Sequence, residues 1–338
     1  MDFSSNDAVL QTVLVAFAIS TIISAIVILA SNKFHIFIDK IDTLKPQGFH
    51  SIPTPRSGGI GIFLSFFVSF LLFKEANLYF LIAIAIIFCS GLLEDFSASL
   101  SPKTRLLIQL LGSAVAVFGM DISITNLLPI LALPYFLGIA LGLFGIIGVC
   151  NAVNIIDGFN GLAGGISLMA FISIAIVAFI LKIDFVFLSC LIGIGASIGF
   201  LVFNFPKGKI FLGDGGAYML GFIIATLLAI LTKESSGISA WFGLSIMIYP
   251  VWEVVFSIIR KKLKKQSAMS PDGKHFHMLI HKKLKSNPLT AVAIWLLNLP
   301  FMVLSVVFMQ NAWMLIAICG AFVVIYSVIY TKLNKSSS

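Results

Sequence analysis

Four segments of this chain set carboxylates, amides and histidines beside glycines and basic residues, a mixture suited to handling phosphate and a divalent cation. In Gly91-Leu-Leu-Glu94-Asp95, followed by Lys103, Arg105 and Gln109, two carboxylates are adjacent. They repel unless they share a proton or a cation, so the pair implies a raised pKa or a bound metal; a solvated helix end is the alternative. In Asn151-Ala-Val-Asn154-Ile-Ile-Asp157-Gly158 the polar groups recur at i, i+3 and i+6. On a helix that spacing keeps them within a stripe about 120° wide. Asn/Asp turn chemistry ahead of the glycine is the competing explanation.

The third segment is Lys207-Gly-Lys209-Ile-Phe211-Leu-Gly213-Asp214-Gly215-Gly216. Glycines around one carboxylate let a phosphate and a metal approach the backbone closely. Asp214 could equally be the N-cap of the helix that follows. The fourth, Pro271-Asp272-Gly273-Lys274-His275-Phe276-His277, with His281 and lysines beyond it, could bind pyrophosphate or move protons, or be a solvated basic loop. It lacks the companions of a zinc site. A weaker fifth segment holds His50, Arg56 and the pair Gly58-Gly59, the glycines suiting close helix packing.

The elements that must position these loops follow from composition. Across 338 residues, 59% are hydrophobic and 11% charged, with mean hydropathy +1.08. A soluble domain carries roughly 25% charge. Backbone in a bilayer must satisfy its own hydrogen bonds, and the apolar runs are long and non-alternating. An all-α polytopic integral membrane protein with about 11 transmembrane helices is expected, as one domain over residues 1–338. The spans should start near Val9, Gly59, Leu78, Leu106, Leu127, Leu162, Phe185, Ala217, Ile238, Leu289 and Trp313. The first reads as an uncleaved span, since no basic segment precedes it. Cys89, Cys150, Cys190 and Cys319 sit in or beside apolar runs and read as small core hydrophobes.

All but three of the 22 lysines and arginines (Lys74, Lys182 and Lys233) fall in alternate connections. The positive-inside rule places those connections in the cytoplasm, with the N-terminus periplasmic and the C-terminus cytoplasmic. The net charge of +8 then reflects topology, and no nucleic-acid partner is needed. Arg260-Lys-Lys-Leu-Lys-Lys265 lies against the membrane, where anionic headgroups attract it. The chemical segments fall in these same inner connections, at 32–58, 94–105, 151–161, 205–216 and 260–288.

In order, these five loops resemble those of the polyprenyl-phosphate N-acetylhexosamine-1-phosphate transferases (glycosyltransferase family 4). That family initiates peptidoglycan lipid I, enterobacterial common antigen, teichoic acids and many O-antigens. The resemblance implies transfer of a sugar-1-phosphate from a UDP-N-acetylhexosamine to undecaprenyl phosphate, releasing UMP at the cytoplasmic face of a bacterial inner membrane. Mg²⁺ is the implied cofactor, with Mn²⁺ as a substitute. By the same resemblance Glu94, Asp95 and Asp157 are catalytic, and Asp214 is the principal metal ligand. Phe211 stacks on uracil, and His275 and His277 bind the diphosphate region. Asn151, Asn154, Lys209, Arg56, Arg105 and Lys274 complete the substrate-binding set. Glu94 stands where the family has Asp, and Glu253, after Tyr249-Pro250, where an Asp is common.

The form of the histidine segment is more like the subgroup initiating O-antigen or surface-polysaccharide units, often on 6-deoxy sugars such as FucNAc or QuiNAc derivatives. A GlcNAc-1-phosphate transferase for another envelope polymer is the nearest alternative. A secondary transporter or lipid flippase is the remote one, since transport sites lie near the bilayer midplane.

Overall fold

The computed structural model describes residues 6–39, 54–73, 75–97, 100–233, 237–267 and 273–336. His50 and Asp272 lie outside the described residues. The described chain is helical throughout: α1 (Asn6–Phe34), α2 (Gly59–Phe73), α3 (Leu78–Ser97), α4 (Pro102–Gly119), α5 (Tyr135–Ile156), α6 (Leu162–Leu181), α7 (Asp184–Asn204), α8 (Gly213–Leu231), α9 (Ala240–Ile246), α10 (Ile248–Leu263), α11 (Phe276–Leu284), α12 (Asn287–Val307) and α13 (Ala312–Ser336). Two short antiparallel pairings join them, β1 (Ile38–Asp39) with β2 (Thr54–Pro55), and β3 (Asn126–Leu127) with β4 (Leu131–Ala132).

The outer surface shows what solvent the fold requires. Leu29, Phe118, Phe144, Val307 and Trp313 are 65% to 75% exposed, so the apolar surface continues outward on many helices. Such a surface is stable only against lipid. Inside, α8 is the central helix: 89% of its most apolar stretch is buried, against 17% for α1 and 28% for α13. It packs on α3 and α5, while α1 lies along α7. Serine caps and prolines fix several helix starts. Ser101 Oγ accepts from Thr104 N ahead of Pro102 in α4, and Ser286 Oγ accepts from Leu289 N ahead of Pro288 in α12.

Ten of the eleven expected starts fall within four residues of a helix start, and two expectations about the spans are corrected. Among the described residues eight helices are long and apolar enough to cross a membrane, or nine with α9 and α10 as one bent span. The fifth span begins at Tyr135, not near Leu127, because Leu127–Leu131 turns back as the β3–β4 hairpin and Pro134 precedes the helix. The ninth span is broken: α9 and α10 meet at 80°. Pro250 explains the break, since it has no N–H and its ring would clash with the carbonyl of Ile246, the last residue of α9. Three of the cysteines are buried as expected, whereas Cys89 is on the exposed side of α3.

Candidate active site

Asp214, in the first turn of α8, is where four loops meet. Its Oδ2 accepts from Arg105 Nη1 at 2.9 Å, and its Oδ1 from Asn154 Nδ2 at 3.0 Å. Arg56 Nη2 stands 3.7 Å from Oδ1. Arg105 comes from the first turn of α4, Asn154 from the last turn of α5 and Arg56 from the residue after β2. Arg105 Nη1 also donates to Tyr218 Oη at 3.2 Å, one turn along α8 from Asp214. The Asp214 side chain is 17% exposed, so these charges act through a medium less screening than water.

Asp95 clamps the same helix end. Its Oδ1 accepts from Asp214 N and its Oδ2 from Gly215 N, each at 3.0 Å. The two amides belong to the unpaired donors at a helix start, and a carboxylate there is favoured by the helix dipole. Asp95 on α3 therefore caps α8, while Asp214, the alternative cap, is left facing the cleft. Gly213, at φ 78°, has a left-handed backbone that favours glycine, and a Cβ there would collide with Arg56 O and Asp95 Oδ2.

Backbone pairing ties the 32–58 and 205–216 loops together. Phe211 N donates to Pro55 O, Gly58 N to Phe211 O and Gly59 N to Leu212 O. Buried Asn204, at the end of α7, links the 151–161 and 205–216 loops: its Oδ1 accepts from Gly161 N at 2.6 Å and its Nδ2 donates to Ile210 O at 2.7 Å. Asn204→Ala should strand both backbone groups and cost about 2 kcal/mol or more. A lowered unfolding midpoint in detergent would show it; an unchanged midpoint would contradict the linking role.

The amide-acid stripe is only partly helical. Asn151 and Asn154 lie on α5, but Asp157 follows its end with φ −77° and ψ 60°, so turn chemistry takes over at the third position. Asn151 Nδ2 donates to Gln109 Oε1 at 2.8 Å, bracing α5 against α4 instead of facing Asp214. Burial pushes the Asp157 carboxyl up to about 7; Arg56 opposes the shift, and the carboxylates of Asp214 and Asp95 add to it.

That excess of carboxylate is what a divalent cation would relieve. Among the described residues no three His, Cys, Asp or Glu side chains form a ready cage. A site with one or two carboxylates, completed by water and substrate phosphates, suits Mg²⁺ better than a closed protein cage does. The residues therefore fit the implied cofactor as an open, substrate-completed site.

The histidine segment approaches from another side. His277 is fully buried in α11, and a Cβ on Gly158 would lie 3.7 Å from its Nε2. Burial pushes His277 down to about 4, with Glu253 opposing and His275 adding to the shift. His275 Nδ1 is 2.8 Å from Glu253 Oε1. Glu253, 1% exposed, also accepts from Tyr326 Oη at 2.8 Å and from Phe276 N. Glu253 is thus the anchor of the histidine segment.

Residues 77–232 match Glycosyl transferase family 4. A Bacillus subtilis (strain 168) protein named "Probable undecaprenyl-phosphate N-acetylglucosaminyl 1-phosphate transferase" is 30% identical over 304 residues, covering 87% of this chain and 84% of its own length. The chain belongs to the polyprenyl-phosphate N-acetylhexosamine-1-phosphate transferase family. An undecaprenyl-phosphate alpha-N-acetylglucosaminyl 1-phosphate transferase of Thermotoga maritima is 30% identical over 73% of this chain and 74% of its own. A phospho-N-acetylmuramoyl-pentapeptide-transferase of Staphylococcus carnosus is 30% identical over 78% and 89%.

Within this transferase, Asp214, Asn154, Arg56 and Arg105 are brought into contact or near contact, with Asp95 behind them and Asp157 electrostatically coupled to them. Other expected residues are placed elsewhere. Glu94 Oε2 accepts from Leu100 N, closing the loop beyond α3. Lys209 and Lys274 have exposed side chains, and the Lys274 carbonyl accepts from Tyr330 Oη. Phe211 is half-buried, held by its backbone. Asn204, Tyr218, Tyr249 and Tyr326 are the site-building residues that sequence reasoning passed over. Only Tyr218 carried a legible signal, four residues after Asp214 and so on the same helix face.

Proposed function

We propose that this protein transfers an N-acetylhexosamine-1-phosphate from a UDP-sugar to undecaprenyl phosphate, giving undecaprenyl-diphosphate-sugar and UMP. The observation that carries the proposal is the convergence of Arg56, Arg105 and Asn154 on Asp214, with Asp157 alongside. In the reaction a phosphate oxygen of the lipid forms a bond to the β-phosphorus of the donor. The bond from that phosphorus to the bridging oxygen breaks, and UMP leaves with the electron pair. Both reactants are anions, so positive charge must be fixed in place before they meet. Arg56 and Arg105 are held by Asp214 at the spot where that charge is needed.

Asp214 and Asp157 would hold Mg²⁺, which, bound there, supplies charge neutralisation across the diphosphate. Because a protonated carboxyl is a poor ligand, the Mg²⁺ concentration for half-maximal activity should fall about tenfold from pH 6 to pH 8, as Asp157 ionises. Titrations of activity against Mg²⁺ at several pH values test this; a flat response would remove Asp157 from the ligand set. Asp95, with both oxygens engaged by backbone amides, supports direct attack by the lipid over a covalent route through Asp95. Trapping a sugar-phosphate adduct in the absence of lipid would reverse that preference.

In this reading about eleven spans set the active loops on the cytoplasmic side of the inner membrane, with the N-terminus periplasmic. The family membership removes the reason to entertain a transporter or flippase. The names of two relatives favour UDP-GlcNAc as the first donor to test, and the form of the histidine segment adds 6-deoxy-HexNAc donors of O-antigen synthesis. Membranes containing the protein, undecaprenyl phosphate and Mg²⁺ should release UMP from one of these donors. Silence across the whole panel would count against the proposal.

A further inference from the structure

His275 and His277 stack ring on ring, 5.4 Å apart and 1° from parallel, and both reach back to α10. His275 Nδ1 meets Glu253 Oε1, and His277 Nδ1 lies 3.2 Å from the Tyr249 hydroxyl. Tyr249 and Glu253 are four residues apart, so one face of α10 serves both rings. Glu253 accepts from Tyr326 and Phe276 N as well, so it acts as an acceptor throughout and His275 Nδ1 carries a hydrogen. The phenol of Tyr249 could donate or accept. It is fully buried, and His277 is its hydrogen-bond partner among the described residues.

If His277 donated, the phenol proton would be buried without an acceptor, which is the costlier arrangement. If Tyr249 donates, Nδ1 accepts, and the single proton of the neutral ring must sit on Nε2. His277 Nε2 is itself buried with no partner among the described residues, and it faces the Gly158 turn. A polar atom held in that way is waiting for an acceptor.

We infer that Tyr249 is a positioning residue that locks His277 as the Nε2–H tautomer, presenting an uncharged hydrogen-bond donor beside the Asp157–Gly158 turn to an anionic phosphate oxygen of the donor substrate. Glu253, through Phe276 N and His275, fixes the start of α11 so that the ring keeps this aim, and Tyr326 on α13 buttresses Glu253. The identity of the acceptor rests on the transfer reaction proposed above; the tautomer does not.

The tautomer can be read directly. With five histidines in the chain, nitrogen-15 histidine spectra of the full-length protein in detergent are assignable, His277 by its loss in His277→Gln. The expected result is an Nε2–H tautomer for His277 in the wild type and a mixture of both neutral tautomers in Tyr249→Phe. An Nδ1–H tautomer in the wild type overturns the inference, and that spectrum decides even if Tyr249→Phe does not fold. In UMP release, Tyr249→Phe should lower kcat/KM about tenfold. Glutamine keeps an N–H near the place of Nε2 without needing the phenol, so Tyr249→Phe should add no further loss in the His277→Gln background. Losses that multiply would overturn the role of Tyr249. No UMP from a wild type that shows the Nε2–H tautomer would sink the transfer reading and leave the lock standing.

Discussion

Replacing Asp214 by asparagine should lower kcat about a thousandfold or more while leaving the protein folded. Asparagine has nearly the same shape and keeps one oxygen to accept from Asn154. What it removes is the charge that holds Arg105 at 2.9 Å and Arg56 at 3.7 Å. Its amide also points donors at the Arg105 guanidinium, which has only donors to offer. Two cations would then lie close with less counter-charge, and the site would lose the carboxylate oxygen proposed to hold Mg²⁺. UMP release together with a detergent unfolding curve separates chemistry from folding. Arg105→Gln, which leaves the carboxylate in place, should be the milder change. Equal losses in the two variants would mean that Asp214 serves only to hold Arg105.

The largest effect on stability is expected at Gly91→Ala, a position packed directly against the backbone that carries Asp214. A Cβ at Gly91 would overlap Gly215 N and the carbonyl carbon of Asp214. These are backbone atoms in the first turn of α8, and no rotamer change can move them aside. The helices would have to separate, opening the two bonds from Asp95 to Asp214 N and Gly215 N. Overpacking of this kind costs about 3 kcal/mol, more when backbone is the obstacle. Gly91→Ala should therefore give little folded protein, or a sharply lower unfolding midpoint with activity lost in parallel. Gly145→Ala is the matched control, because a Cβ there meets nothing within 4 Å. Similar midpoints for the two variants would show that the α3–α8 contact is looser than described.

The helices were legible because lipid demands long apolar runs, and that demand is written residue by residue. The break at Met247 was not, since Ile238–Leu263 is apolar enough to pass as one span and only Pro250 marks the point where the ladder fails. The hairpin at Leu127–Leu131 was hidden for a related reason: its residues are as apolar as the helix that follows. In the site, residue types were legible and pairings were not. Asp95 and Asp214 are 119 positions apart, and nothing in either motif says that one caps the helix bearing the other. Helical spacing was likewise a fair guide for Asn151 and Asn154, and failed at Asp157 because the helix ends there. The tyrosines of α10 and α13 were invisible in the sequence because apolar spans contain tyrosine for packing alone. Only the positions of Glu253 and His277 give their hydroxyls a purpose.

The central claim is that a phosphorus atom changes hands, and a donor labelled at its β-phosphorus tests it most directly. Purified protein in nanodiscs with undecaprenyl phosphate and Mg²⁺ should move the label into the lipid extract, one equivalent for each UMP formed, and Asp214→Asn should not. Label that stays in UDP while the sugar alone reaches the lipid would contradict the account.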